Sequence, residues 1–109
     1  MKFQIVMRMK SEIEVVELAN IRQLKVAMLE ACGLCQATAE RVLQFHGVGK
    51  RSLIVATKLD GIFTGAMWIG ERGQEAAFFG FYDRRSRVTK VLESEFAKRC
   101  AKGRYALVG

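Results

Sequence analysis

Proline is missing altogether from the 109 residues, and histidine and tryptophan occur once each. With no proline and no low-complexity run, nothing in the chain reads as an interdomain linker or a disordered tail. Cysteine is limited to three. An odd number with no secretory signal does not make a disulfide framework and fits free thiols in a reducing cytoplasm. No uncharged apolar run approaches the ~20 residues of a membrane-spanning helix. The opening MKFQIVMRMK has neither the apolar core nor the small-residue cleavage site of a signal peptide. A cytoplasmic protein without membrane association is therefore expected.

Acidic residues are scarce too: 11 Asp and Glu stand against 18 Lys and Arg, a net charge of +7. The deficit is one-sided. Residues 1–40 hold five cations and five Glu, whereas residues 41–109 hold thirteen cations and six acids. Such a balance favours polyanionic partners: nucleic acid (DNA or RNA), an anionic membrane face or an acidic protein surface, of which the first and last are the partners expected. Half of the residues are hydrophobic, enough for one domain with its own core.

Phe3, Ile5, Met7 and Met9 alternate with polar residues, the period of a strand buried on one face. Residues 11–19 read two ways. Ser11 and Glu14 form a capping box that would start a helix, while Ile13-Glu14-Val15 would prolong the strand. Asn20 and Gln23 form a second capping box. After it, Ile21, Leu24, Met28 and Ala31 keep helical spacing, with Gly33 as the helix stop. A second helix over about 36–46 follows after a few residues, ended by Gly47, so the pair makes an αα-hairpin. From Leu53 the period changes to two. Strands at 53–59, 62–69 and 76–82 are separated by Asp60-Gly61, a hairpin turn, and by Gly70 to Gly73. On the middle strand, alternation places Phe63, Met67 and Ile69 on one face. Asp83 or Ser86 caps a last helix with an apolar ladder Val88, Leu92, Phe96, Cys100. Gly103 stops it, and residues 104–108 can close the sheet as a short strand. The expected fold is a single α+β domain: an N-terminal strand, an αα-hairpin, a three-stranded antiparallel meander and a C-terminal helix packed on the sheet.

Residues 29–43, LEACGLCQATAERVL, run from one helix through Gly33-Leu34 into a Thr-Ala-Glu-Arg helix. This resembles the helix-hairpin-helix motif of non-sequence-specific DNA-binding proteins, whose turn reads Gly-hydrophobe-Gly. The resemblance implies a phosphate held by backbone amides at the turn and at the start of the second helix. Here the second glycine is Cys35, and the turn has no Lys or Arg. Gly47-Val48-Gly49-Lys50-Arg51-Ser52 is a better Gly-hydrophobe-Gly, and it is basic. It is not a phosphate-binding P-loop, because Gln44 stands where that pattern needs Gly. As a helix-to-strand loop it would hold an anion with backbone amides and two cations. Gly47, Gly49, Lys50, Arg51 and Ser52 are thus candidate binding residues.

The others are Arg84, Arg85 and Arg87, at the start of the last helix, where cations oppose the macrodipole; there a partner-facing role is expected. Lys98, Arg99, Lys102 and Arg104 form a second basic cluster, at a helix end where cations suit the dipole. Cys32, Cys35, His46 and Cys100 match zinc's ligand count, but Cys100 continues an apolar ladder, and no metal or cofactor is expected. No Ser/His/Asp or paired-carboxylate spacing is present, so no catalytic residue is expected. Trp68, Phe78, Phe79, Phe81 and Tyr82 would stack on bases if the sheet had an open face. Apolar residues on both faces of strands 62–69 and 76–82 instead suggest that both are covered, one by helices and the other by a second subunit in a homodimer. The function expected is phosphate binding by a small non-enzymatic nucleic-acid-binding protein, through the loop at 47–52 and the arginines at 84–87. The alternative is a small regulatory protein, such as a phage- or plasmid-type modulator of a nucleic-acid-handling machine, that docks the same basic face on an acidic protein.

Overall fold

The computed structural model describes residues 12–49, 52–71, 73, 75–80, 83 and 85–101. The expected strand over 3–9, the stop at Gly103 and the closing strand over 104–108 lie outside them. The elements run β1 (Glu14–Glu17), α1 (Ile21–Cys32), α2 (Gln36–Phe45), β2 (Leu53–Leu59), β3 (Ile62–Ile69), β4 (Glu75–Phe78) and α3 (Arg87–Ala101). The fold is α+β. Among the described residues, four strands form one antiparallel sheet in the order β1-β2-β3-β4. Residues 14–17 are a strand, not the helix that a cap at Ser11 would start.

Local chemistry explains the boundaries. The Asn20 side chain accepts the Gln23 amide at 2.9 Å, and Gln23 Oε1 accepts the Ala19 amide at 2.7 Å. One amide that a helix start leaves orphaned, that of Gln23, is thereby satisfied, the residue before the cap is tied back to the first turn, and α1 begins at Ile21. Gly33, with φ 67°, ends it and donates to the Leu29 carbonyl. Asp60 and Gly61 both take positive φ, 52° and 83°, the two-residue turn whose twist suits a hairpin.

Helices cover both faces of the sheet. On one side α1 and α2 bring Leu24, Ala27, Met28, Ala39 and Leu43 onto Ile54, Ala56, Ala66, Trp68 and Ala76. On the other, Leu92 and Phe96 of α3 pack on Leu53, Val55, Met67 and Ile69. The second apolar face, which had pointed to a second subunit, is met by the chain's own last helix.

Two expectations about the strands need correction. Thr57 pairs with Gly65 but Lys58 pairs with Phe63, so Thr64 is an extra residue in β3. This bulge puts Phe63 with Ala66 and Trp68 on the hairpin side, not with Met67 and Ile69. The buried Thr64 hydroxyl donates to the Thr57 carbonyl at 3.2 Å and meets the Thr57 hydroxyl at 3.0 Å, which satisfies the bulge internally. β4 stops at Phe78, opposite Ala66, and does not continue to 82. Beyond it Gly80 takes φ 67° and leaves the ladder.

Candidate nucleic-acid interface

The start of α3 is built by a short relay of hydroxyls. Ser86 Oγ accepts the Thr89 amide at 3.1 Å and donates to Thr89 Oγ1 at 2.9 Å, which in turn donates to the Asp83 carbonyl at 2.8 Å. Asp83 Oδ1 accepts the Arg85 amide at 2.9 Å. Ser86 is the N-cap, and Asp83 fixes the turn before it. With Val88, Thr89 and Leu92 turned inward, Arg85 and Arg87 are held outward and exposed.

Together with Lys90, Val91, Ser94 and Glu95, these two arginines line an open cavity of about 470 Å³ on the outer side of α3. Arg85, Arg87 and Lys90 make no ion pair among the described residues. Glu95 does not neutralise them, because its carboxylate is taken by Arg99 at 2.8 Å and Lys98 at 3.3 Å. The Arg99 and Lys98 hydrogen bonds hold that carboxyl below its usual range. α3 has no acid in its first turn, so the positive end of its dipole adds to three cations. Lys90 was not anticipated. Its signal was the i, i+3 spacing from Arg87, which puts both on one side of a helix. Arg84 lies outside the described residues.

The loop at 47–52 is built differently from expectation. The Gly47 amide donates to Gln44 O at 3.2 Å, Val48 to Leu43 O at 3.1 Å, Gly49 to Ser52 Oγ at 2.9 Å and Ser52 to Gly49 O at 3.1 Å. These four amides close the end of α2 and the turn into β2. The Glu71 amide donates to Gly47 O at 2.9 Å, and the Glu71 carboxylate lies where a side chain at residue 49 would sit. The open side of Gly49 thus already faces an acid, and a side chain there would have to displace the Glu71 carboxylate. For a phosphate the loop has left the side chains of Lys50 and Arg51, which lie outside the described residues.

Nor do the two groups of candidates meet. The loop leads into Leu53, at one end of the sheet. Leu92, in the second turn of α3, touches Gly65, whose partner is Thr57 near the other end. β2 separates these ends by roughly 20 Å at ~3.3 Å per residue. It is the far end of α3 that returns to the loop's end, where Cys100 feels the charge of Glu75, the partner of Ile69. There Arg99 pairs with Glu17 of β1 at 3.1 Å as well as with Glu95. The basic residue Arg99 thus ties helix to sheet.

The thiols do not converge. Cys32 and Cys35 flank the turn between α1 and α2, Cys100 lies on the opposite side of the sheet, and all three are free. No group of three metal-ligating side chains occurs among the described residues. Burial raises the Cys32 and Cys100 thiols. Cys35, the N-cap of α2, is lowered by the Thr38 hydroxyl, 3.2 Å from its sulfur, and by amides of the same turn. No helix of the described residues is long and apolar enough to cross a membrane.

Of the aromatics expected to stack, Trp68 is buried at 1 % exposure and Phe78 and Phe79 are half-buried against the helices. Phe81 and Tyr82 lie outside the described residues. Among the described residues the exposed aromatic is Phe45, the last residue of α2, at 83 %. No family model, no curated protein and no solved structure matches this chain.

Proposed function

We propose that this protein is a small, non-enzymatic nucleic-acid-binding protein of the cytoplasm that grips phosphates with Arg85, Arg87 and Lys90. One observation carries the reading: three exposed cations share the positive end of α3 around one cavity, unpaired among the described residues. Such an arrangement costs helix stability and is relieved by an anion. Two arginines offer the planar fork that suits phosphate oxygens. Arg84 in the same sequence cluster, and Lys50 and Arg51 between Gly49 and Ser52 in the sequence, are the further cations of this reading. Gly47, Gly49 and Ser52 serve it as the frame that turns the chain and not as amide donors. A phosphate contact of the helix-hairpin-helix kind is its weakest arm, since the turn at Gly33 has no cation and a thiol occupies the start of α2. A homodimer is not part of the proposal, because α3 covers the face that had called for one.

A second reading rests on a different surface. Val26 and Leu29 are exposed on α1 at 42 % and 37 %, in a groove of about 420 Å³ with Arg22, Lys25 and Gln36. An apolar strip edged by Arg22, with Lys25 paired to Glu40 at 3.1 Å, suits an acidic protein partner, the regulatory alternative.

Binding to random DNA and RNA, followed by anisotropy across a salt series, separates the two. The phosphate reading expects affinity at low salt that falls log-linearly with salt. The substitutions R85Q, R87Q and K90Q together should flatten that slope by ~0.7–0.9 for each phosphate no longer neutralised. Absence of binding at low salt overturns it and leaves the protein-partner reading.

A further inference from the structure

Phe45 sits badly for a residue with no task. It is the most exposed large hydrophobic side chain among the described residues, at the end of a helix whose inward side is filled by Ala39 and Leu43. Its ring is nevertheless held in place. The His46 imidazole meets it nearly perpendicular, at 5.0 Å and 87°. His46 in turn packs edge-on against the buried Trp68 at 6.0 Å, and Trp68 lies 5.9 Å from Phe78. Four rings thus run from solvent to the core, and the outermost is buttressed rather than free. One turn earlier on the same side of α2 stands Arg41, exposed and in no ion pair among the described residues. An open aromatic ring beside a cation is the pair of groups that single-stranded nucleic acid requires: a surface for a base and a charge for its phosphate. In a duplex the faces of the bases are stacked on one another, and a side-on Phe has nothing to stack against.

The placement of Phe45 points the same way. It lies at the loop end of the sheet on the hairpin side, whereas Arg85, Arg87 and Lys90 lie at the other end on the α3 side. A ligand that touches both must turn around the molecule. Duplex DNA is stiff over ~150 base pairs and does not follow so tight a path; a single strand does.

We propose that the nucleic acid bound is single-stranded, that a base stacks on Phe45, and that Arg41 holds a neighbouring phosphate. This rests on the phosphate-binding reading and narrows its ligand. The test compares oligo(dT) with a duplex of equal length at low salt, for the wild type and for F45A, F45W, R41Q and the R85Q/R87Q/K90Q variant. Phe45 is outside the core, so its variants should fold, and circular dichroism checks this. The wild type should prefer the single strand, and F45A should weaken oligo(dT) binding about tenfold while leaving duplex binding unchanged. F45W should retain single-strand affinity, and R41Q should lower the salt slope by ~0.7. An F45A protein that binds oligo(dT) as tightly as the wild type, or a wild type that prefers duplex, overturns the inference. If binding then still depends on Arg85, Arg87 and Lys90, phosphate binding stands without it. No binding of either ligand at low salt overturns both.

Discussion

Gly80 and Gly33 have the same φ, 67°, and very different surroundings. A Cβ at Gly33 would meet nothing within 4 Å, whereas one at Gly80 would lie 2.8 Å from both the Ala31 and Thr64 carbonyl oxygens. Gly33→Ala should therefore lose only the left-handed backbone preference, ~1–2 kcal/mol. Gly80→Ala adds a collision with two backbone groups, which no rotamer can relieve, and should lose about 3 kcal/mol or more. Urea unfolding of the two variants measures the difference. Equal losses would show that the chain after β4 does not approach α1 as described. The cysteines give a second contrast at this scale. Cys35 is exposed and its thiol is lowered, first by the Thr38 hydroxyl, while burial raises Cys32 and Cys100. More thiolate is present at Cys35 at any pH below the ordinary thiol range. Iodoacetamide at neutral pH should label Cys35 first, with the Cys32 and Cys100 rates catching up as pH rises; peptide mass spectrometry reads the order. Thr38→Val should slow Cys35 without altering the other two.

α3 carries its charge against its own dipole at one end and with it at the other. Arg87 occupies the first helical position, while Lys98 and Arg99 lie in the last turn. Arg87→Glu should stabilise the helix by ~0.3–1 kcal/mol at low salt, a gain that salt removes. The same change should weaken nucleic-acid binding, since it turns a phosphate contact into a repulsion. A raised melting temperature with weakened binding is the expected pair of results; a lowered melting temperature would mean that Arg87 has a structural partner. Elements of this kind were legible because their signals are local. Asn20 with Gln23, Gly33, Asp60-Gly61 and Ser86 each settle a boundary through bonds made within four residues. The face of Phe63 and the length of β4 were not legible. The first follows from the bulge at Thr64, which exists only in the pairing of β3 with β2, and alternation within one strand carries no trace of it; the second goes with the positive φ of Gly80, two residues past Phe78.

For the whole molecule, what matters is that one sheet has helices on both sides, with the end of α2 and the start of α3 at its opposite ends. The basic excess of residues 41–109 was visible in the sequence, and so were Arg85 and Arg87. That the loop at 47–52 lies across the sheet from them was not, because it depends on the direction in which α3 crosses β2 and β3. Phe45 escaped for a related reason: at i+3 from Val42 it reads as part of a buried stripe, and only the end of α2 leaves it in solvent. The separation itself predicts how substitutions combine. Sites more than ~10 Å apart with no shared partner contribute additively, within about 0.5 kcal/mol. Removing the Phe45 ring with the Arg41 charge, and neutralising Arg85, Arg87 and Lys90, should then add in free energy for a strand long enough to reach both ends. For an oligonucleotide too short to span the sheet, only the stronger end is occupied. There the weaker pair of substitutions should have almost no effect, and the stronger set should uncover binding at the other end. Titrating the two variants and their combination with oligonucleotides of increasing length measures this directly. The crossover from one regime to the other reports the distance a strand must travel. If the two sets were as additive on short ligands as on long ones, the end of α2 and the start of α3 would form one contiguous site, and the direction assigned to α3 would be wrong.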